Sequence, residues 1–169
     1  MRGDILELIM LSDEFGVFME TKDGLKKLEG FSRLNFNSGA ESYIRKYFST
    51  QGESIDITGA KPVISYQFDR MKNNAVHDFL ADISVSGLKG SDAYTNLVFV
   101  DLPEEADGRY KAFKQGYVVL CADTRPENGF LDYSGKLVAR GSGKKGSFIL
   151  NDDFKSGEFI PERSGILCE

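Results

Sequence analysis

The feature that most constrains this chain is residues 61–84, KPVISYQFDRMKNNAVHDFLADIS, where two hydrophobic periods meet. Ile64, Tyr66 and Phe68 alternate with Ser65, Gln67 and Asp69, the period-2 signature of a half-buried strand. After a short polar break, Val76, Phe79, Leu80 and Ile83 recur at i, i+3, i+4 and i+7. That spacing predicts a helix lying on something apolar. Asn73 and Asn74 can cap its start by accepting backbone N–H bonds, and Asp78 suits its early turns. Elsewhere the chain reads as short strands and glycine turns, so a mostly β fold must receive this one helix.

Taken in order, residues 4–11 are ambiguous between helix and strand. Residues 16–21 read as a strand ending at the turn Lys22-Asp23-Gly24. Residues 25–37 read as a second strand anchored by Phe31, Leu34 and Phe36, with a bulge where the first two break alternation. Residues 37–62 are long for a hairpin connection. They suit either two strands of the same sheet, 41–48 and 54–58, or an arm whose aromatics are buried against a neighbouring subunit. Beyond the helix, 87–92 form a polar glycine loop and 94–102 a central strand, apolar on both faces. An acidic turn precedes a buried strand over 110–122, and 124–129 is a breaker-rich loop. Strands 131–140 and 147–151 are joined by a glycine hairpin at 141–146; 157–161 closes the set and 162–169 is a tail. Seven to nine short strands, one helix and no βαβ alternation predict a β-sandwich or barrel with one flanking helix, over about residues 73–84.

A length of 169 residues suits one domain with a sizeable core, and 41% hydrophobic residues make it globular. The formal net charge of −5 offers no basic field for nucleic acid. Cys121 and Cys168 read as reduced thiols rather than a disulfide framework. Asp4 and Glu7 interrupt the apolar N-terminal run, which argues against a secretory signal. No apolar run approaches the roughly 18 to 20 residues that span a bilayer, so no membrane insertion is expected. Synthesis and residence in the cytoplasm, or release by a non-secretory route, follow.

The inventory for chemistry is thin. His77 is the only histidine, and its place on the predicted helix reads as a solvated helix position rather than a catalytic base. One histidine and two distant cysteines lack zinc-site spacing, and the carboxylates lie in turns. GSGKKGS at 141–147 has neither the spacing of a phosphate-cradling loop nor a following helix. A non-enzymatic protein with no cofactor and no metal is expected.

Two stretches together carry a family resemblance. The strand–helix unit VISYQFDRMKNNAVHDFLADI resembles the corresponding region of tail tube (major tail) proteins of long-tailed phages and related phage-tail-like particles. The C-terminal pattern formed by Ser134, Gly135, Leu137, Ala139, Gly141, Gly146, Gly157, Phe159 and Pro161 is similar to the strands that close the sheet in that family. Together they cover the middle and the C-terminal third, and they are folding residues rather than functional ones. The resemblance implies a single tail-tube-like domain over 1–169 that forms hexameric rings, stacked into a hollow tube through which DNA passes without specific binding. It makes 37–62 an inter-subunit loop, with Tyr43, Ile44, Tyr47, Phe48, Ile55 and Ile57 as interface candidates. His77 and Asp78, expected to face outward with Asp82, join them. Residues 1–11 and 162–169 become arms ordered by neighbours. Other partners would be the tape-measure protein and further tail proteins, in a virion tail or tail-like particle made in a bacterial host cytoplasm. A tail terminator or secretion-system tube protein of the same fold, and a monomeric β-sandwich binding module, are the alternatives.

Overall fold

The computed structural model describes residues 15–46 and 53–162, with 43–46, 53–58 and 104–106 as backbone alone. Within these residues the chain is mainly β with one α-helix, α1 (Ala75–Ser86). The strands are β1 (Phe15–Thr21), β2 (Gly24–Lys27), β3 (Arg33–Asn37), β4 (Ala40–Lys46), β5 (Glu53–Ala60), β6 (Val63–Asp69), β7 (Tyr94–Ala106), β8 (Arg109–Glu127), β9 (Phe130–Leu150) and β10 (Ser156–Pro161). All pairings are antiparallel.

Eight strands form one sheet in the order β10-β2-β1-β7-β8-β9-β6-β3, and β9 pairs a second time with β10. Six strands therefore close on themselves, while β6 and β3 extend from the first half of β9. Each region has its own core. Phe18, Val98, Val100, Ala112 and Phe148 fill the closed ring, where the Phe18 and Phe148 rings lie 4.5 Å apart. Ile64, Tyr66 and Phe68 of β6, Leu97 of β7, and Tyr117 and Val119 of β8 form the second core with Val76, Leu80 and Ile83 of the helix. β1 is buried on both faces, with Phe18 in one core and Val17 and Met19 in the other, which alternation along a strand requires.

The opening motif folds as its pattern demands. β6 buries Ile64, Tyr66 and Phe68 and leaves Asp69 exposed. Asn74 is the helix cap, its Oδ1 accepting from the N–H groups of Val76 and His77 at 3.1 Å each. Gly87 ends the helix in the left-handed region at φ 60°.

Long-range pairing corrects five readings. Residues 25–37 are not one strand: β2 pairs with β1 and β10, whereas β3 pairs with β6, and the chain crosses between them. Phe31 explains the break, because its ring packs edge-on to Phe68 at 5.2 Å in the helix-side core. β4 and β5 form a two-stranded sheet of their own rather than joining the main one. The acidic segment 103–106 continues β7, and the turn is Asp107-Gly108. Residues 124–127 continue β8 to a two-residue turn, Asn128-Gly129, both with positive φ as a type I′ hairpin requires. Pro126 is tolerated because β8 pairs only with β9 beyond Val118 and lacks a ladder partner on its other side.

The fifth correction is 141–146, which is no hairpin but part of continuous β9. The ladder runs from Lys114↔Lys144 to Gly116↔Arg140, so residues 141–143 bulge opposite the single Gln115. Gln115 is buried in the bulge, its Nε2 donating to the carbonyls of Arg140 at 2.8 Å and Gly141 at 3.2 Å. Gly143 is needed on steric grounds, since any Cβ there would overlap the Phe113 ring.

Phe148→Ala should lower stability by about 3–5 kcal/mol in denaturant unfolding, because it opens a cavity against Phe18 in the closed ring. Val85→Ala, at a helix position 72% exposed, should stay within about 0.5 kcal/mol of the parent.

Candidate assembly surface

The sites expected from sequence separate into three places. His77 is corrected outright: it is fully buried, not solvated or available to a neighbour. Its Nδ1 accepts from the Met71 N–H at 3.1 Å. The neutral ring then carries its hydrogen on Nε2, which donates to the Glu29 carbonyl at 3.0 Å. Phe68 stacks on it at 4.2 Å and Phe31 meets it edge-on at 5.2 Å. Gly30 sits against the ring at φ 75°, where a Cβ would strike Met71 Sδ and crowd the imidazole. His77 thus fastens the β2–β3 crossover to the start of the helix. The helical period hid this role because the buried stripe is Val76, His77, Leu80, Ala81 and Ile83, which takes in a position beside the Val76, Phe79, Leu80 and Ile83 spacing. Burial holds the His77 pKa below its ordinary value.

Asp78 does face outward, paired with Arg70 at 2.9 Å, and Asp82 is exposed. With Asp23 and Asp92 they border a groove of about 560 Å³ along the helix. Of the remaining interface candidates, Tyr43, Ile44, Ile55 and Ile57 fall on β4 and β5. Their register sets Ile44 opposite Ile55, Tyr43 opposite Asp56 and Ile57 opposite Ser42. Tyr47 and Phe48 lie outside the described residues, as do residues 1–11 and the tail from 163. The Lys61 N–H donates to the Gly39 carbonyl at 3.0 Å, closing the neck of the hairpin just before Pro62. No other described strand pairs with β4 or β5.

Apolar groups also reach the surface, among them Phe36, which the sequence reads as a strand anchor but which is 52% exposed on edge strand β3. Phe15, Phe99 and Phe113 line a groove of about 370 Å³ on the outer face of the closed ring, and Phe36 meets Phe99 edge-on at 6.2 Å. At the far end of the β8–β9 hairpin, Phe130 is 63% and Leu131 47% exposed. Among the described residues no group of three or more His, Cys, Asp or Glu side chains could hold a metal ion. No described helix is long and apolar enough to cross a membrane.

No family model matches this chain, and no curated protein matches it by sequence. Solved structures do match it. The SPP1 tail tube, a hybrid solid-state NMR and cryo-EM structure, aligns with a TM-score of 0.61 over 90% of this chain and 81% of its own, at 11% identity. The tail of the empty gene transfer agent particle, refined helically with C6 symmetry, gives 0.56 over 80% and 97% at 12% identity. The native gene transfer agent virion gives 0.55 over 81% and 98% at 11% identity. At such identities the likeness is one of fold. It agrees with the resemblance to tail tube proteins carried by the strand–helix unit and the C-terminal pattern.

The histidine lends itself to a pH test. Its folded-state pKa lies below the unfolded value of 6.5, so the unfolded chain takes up the proton first. The stability linked to His77 is complete above about pH 6.5 and is lost as pH falls from there toward the folded-state value. The stability difference between the parent and His77→Gln should therefore narrow by up to about 1.4 kcal/mol per pH unit in that window. Urea unfolding at pH 7.5, 6.5 and 5.5 reads this out, and a constant difference would refute the linkage.

Proposed function

We propose that this chain, which has the tail-tube fold, is a structural protein that polymerises into the hollow tail tube of a phage or phage-tail-like particle. The observation that carries the reading is the β4–β5 pair, which no described strand of the eight-stranded sheet joins, beside a body that fills two cores of its own. Two strands alone are marginal in water. Burial against a second subunit would stabilise them, with Tyr43, Ile44, Ile55 and Ile57 in the contact and Tyr47 and Phe48 as further interface candidates. Asp78 remains an interface candidate on the helix; His77 does not.

Hexameric rings stacked on one axis are the assembly we infer, by analogy with the gene transfer agent tail refined in C6 symmetry. The net charge of −5 would repeat around every ring. A wall of that sign repels phosphates and lets DNA slide through without specific binding. The tape-measure protein and other tail proteins are the further partners, and the particle would be made in the host cytoplasm. No catalytic role is assigned.

Negative-stain microscopy and sedimentation of the purified protein test this. Tubes or rings of uniform diameter are expected, and a strict monomer at high concentration would overturn the reading. Deleting residues 40–58 should leave a folded monomer that does not polymerise. Global unfolding of that variant would instead place the hairpin in the core.

A further inference from the structure

The long β8–β9 hairpin carries a knob at one end and a groove near the other. At the turn, Asn128 and Gly129 hold a tight two-residue connection, and Phe130 and Leu131 stand exposed beside it. A phenyl ring on a rigid turn has little conformational freedom to lose on docking. Its acidic flank is Glu127, which pairs with Phe130 across the ladder and is itself exposed.

The groove has the complementary character. Phe15, Phe99 and Phe113 supply its apolar wall, and Gly143, with no Cβ, leaves space for the Phe113 ring to lie across β9. Lys145 lines the groove directly opposite Phe113 in the ladder, together with Lys111 and Glu162. Asp101 lines the same groove, and its Oδ1 is a buried acceptor that no described group donates to.

Knob and groove cannot meet within one molecule. The Phe113–Lys145 and Glu127–Phe130 pairs are held about fourteen ladder positions apart, roughly 45 Å of strand. We propose that the Phe130 hairpin tip of one copy docks in the Phe15–Phe99–Phe113 groove of a second copy, with Glu127 meeting Lys145. The contact is head-to-tail: each copy offers one knob and one groove, so it propagates along a line or ring instead of ending at a dimer. It rests on the reading that the chain self-assembles, and it adds a second contact distinct from the β4–β5 hairpin.

Phe130→Asp and Phe113→Asp change exposed side chains, and circular dichroism should show both folded. Each should raise the critical concentration for assembly at least about tenfold, the scale of a central aromatic anchor. Glu127→Lys and Lys145→Glu should each weaken assembly, and the double variant should restore it. A photocrosslinking phenylalanine analogue at position 130 should capture peptides containing Phe113 or Phe99 from another copy. Wild-type assembly by Phe130→Asp, with no such crosslink, would overturn this contact and leave the tube reading intact. Absence of assembly by the parent protein would overturn both.

Discussion

The bulge opposite Gln115 is the constraint on which the rest of the structure depends. On one side of it, Ala112 of β8 and Phe148 of β9 face the interior of the closed ring. On the other, Tyr117 and Val119 of β8 and Leu137 of β9 face the helix-side core. Two strands therefore serve two cores, and the ladder must be interrupted where they pass from one to the other. An interruption strands backbone carbonyls in a buried place, and unpaired buried acceptors are costly. The Gln115 amide answers this by donating to the Arg140 and Gly141 carbonyls from within the bulge. Gly141 then supplies the left-handed backbone at φ 65°, and Gly143 leaves room for the Phe113 ring.

The helix is secured by a different device. Its apolar face covers β6 and β8, but what fixes its start is polar. Asn74 caps the first turn and also donates to the Glu29 carbonyl at 3.3 Å. His77 bonds that same carbonyl with one nitrogen and the Met71 N–H with the other. The crossover at Glu29 and the helix start at residues 71–77, distant in sequence, are thus tied at a single buried ring. A charged imidazole has no acceptor site left for the Met71 N–H, so the arrangement holds only while the ring is neutral.

What remains after the two cores are filled is informative about assembly. The carboxylates Asp23, Asp78, Asp82 and Asp92 border the groove along the helix with Lys22, and Asp78 is paired with Arg70. The apolar surplus lies elsewhere, on the β8–β9 tip and in the groove on the ring's outer face. Such separation of acidic and apolar surfaces is what a repeating assembly uses, since the same copy must attract at some faces and stay hydrated at others.

By itself the sequence determined the local periods. The alternation of Ile64, Tyr66 and Phe68, the Asn74 cap, the Lys22-Asp23-Gly24 turn and the both-faces-buried β7 follow from side-chain spacing, which acts within a few residues. The mainly β class with one helix follows from their sum, and the resemblance to tail tube proteins is carried by the strand–helix unit and the C-terminal pattern. Tertiary structure decided everything that depends on partners far along the chain. Glycines at 141–146 read as a hairpin because a turn and a bulge use the same residues, and only pairing with β8 tells them apart. Pro126 reads as a breaker until the edge position of β8 removes the demand for its missing N–H. His77 reads as solvated until Glu29 and Met71, brought in by the crossover, satisfy both nitrogens and make its burial affordable.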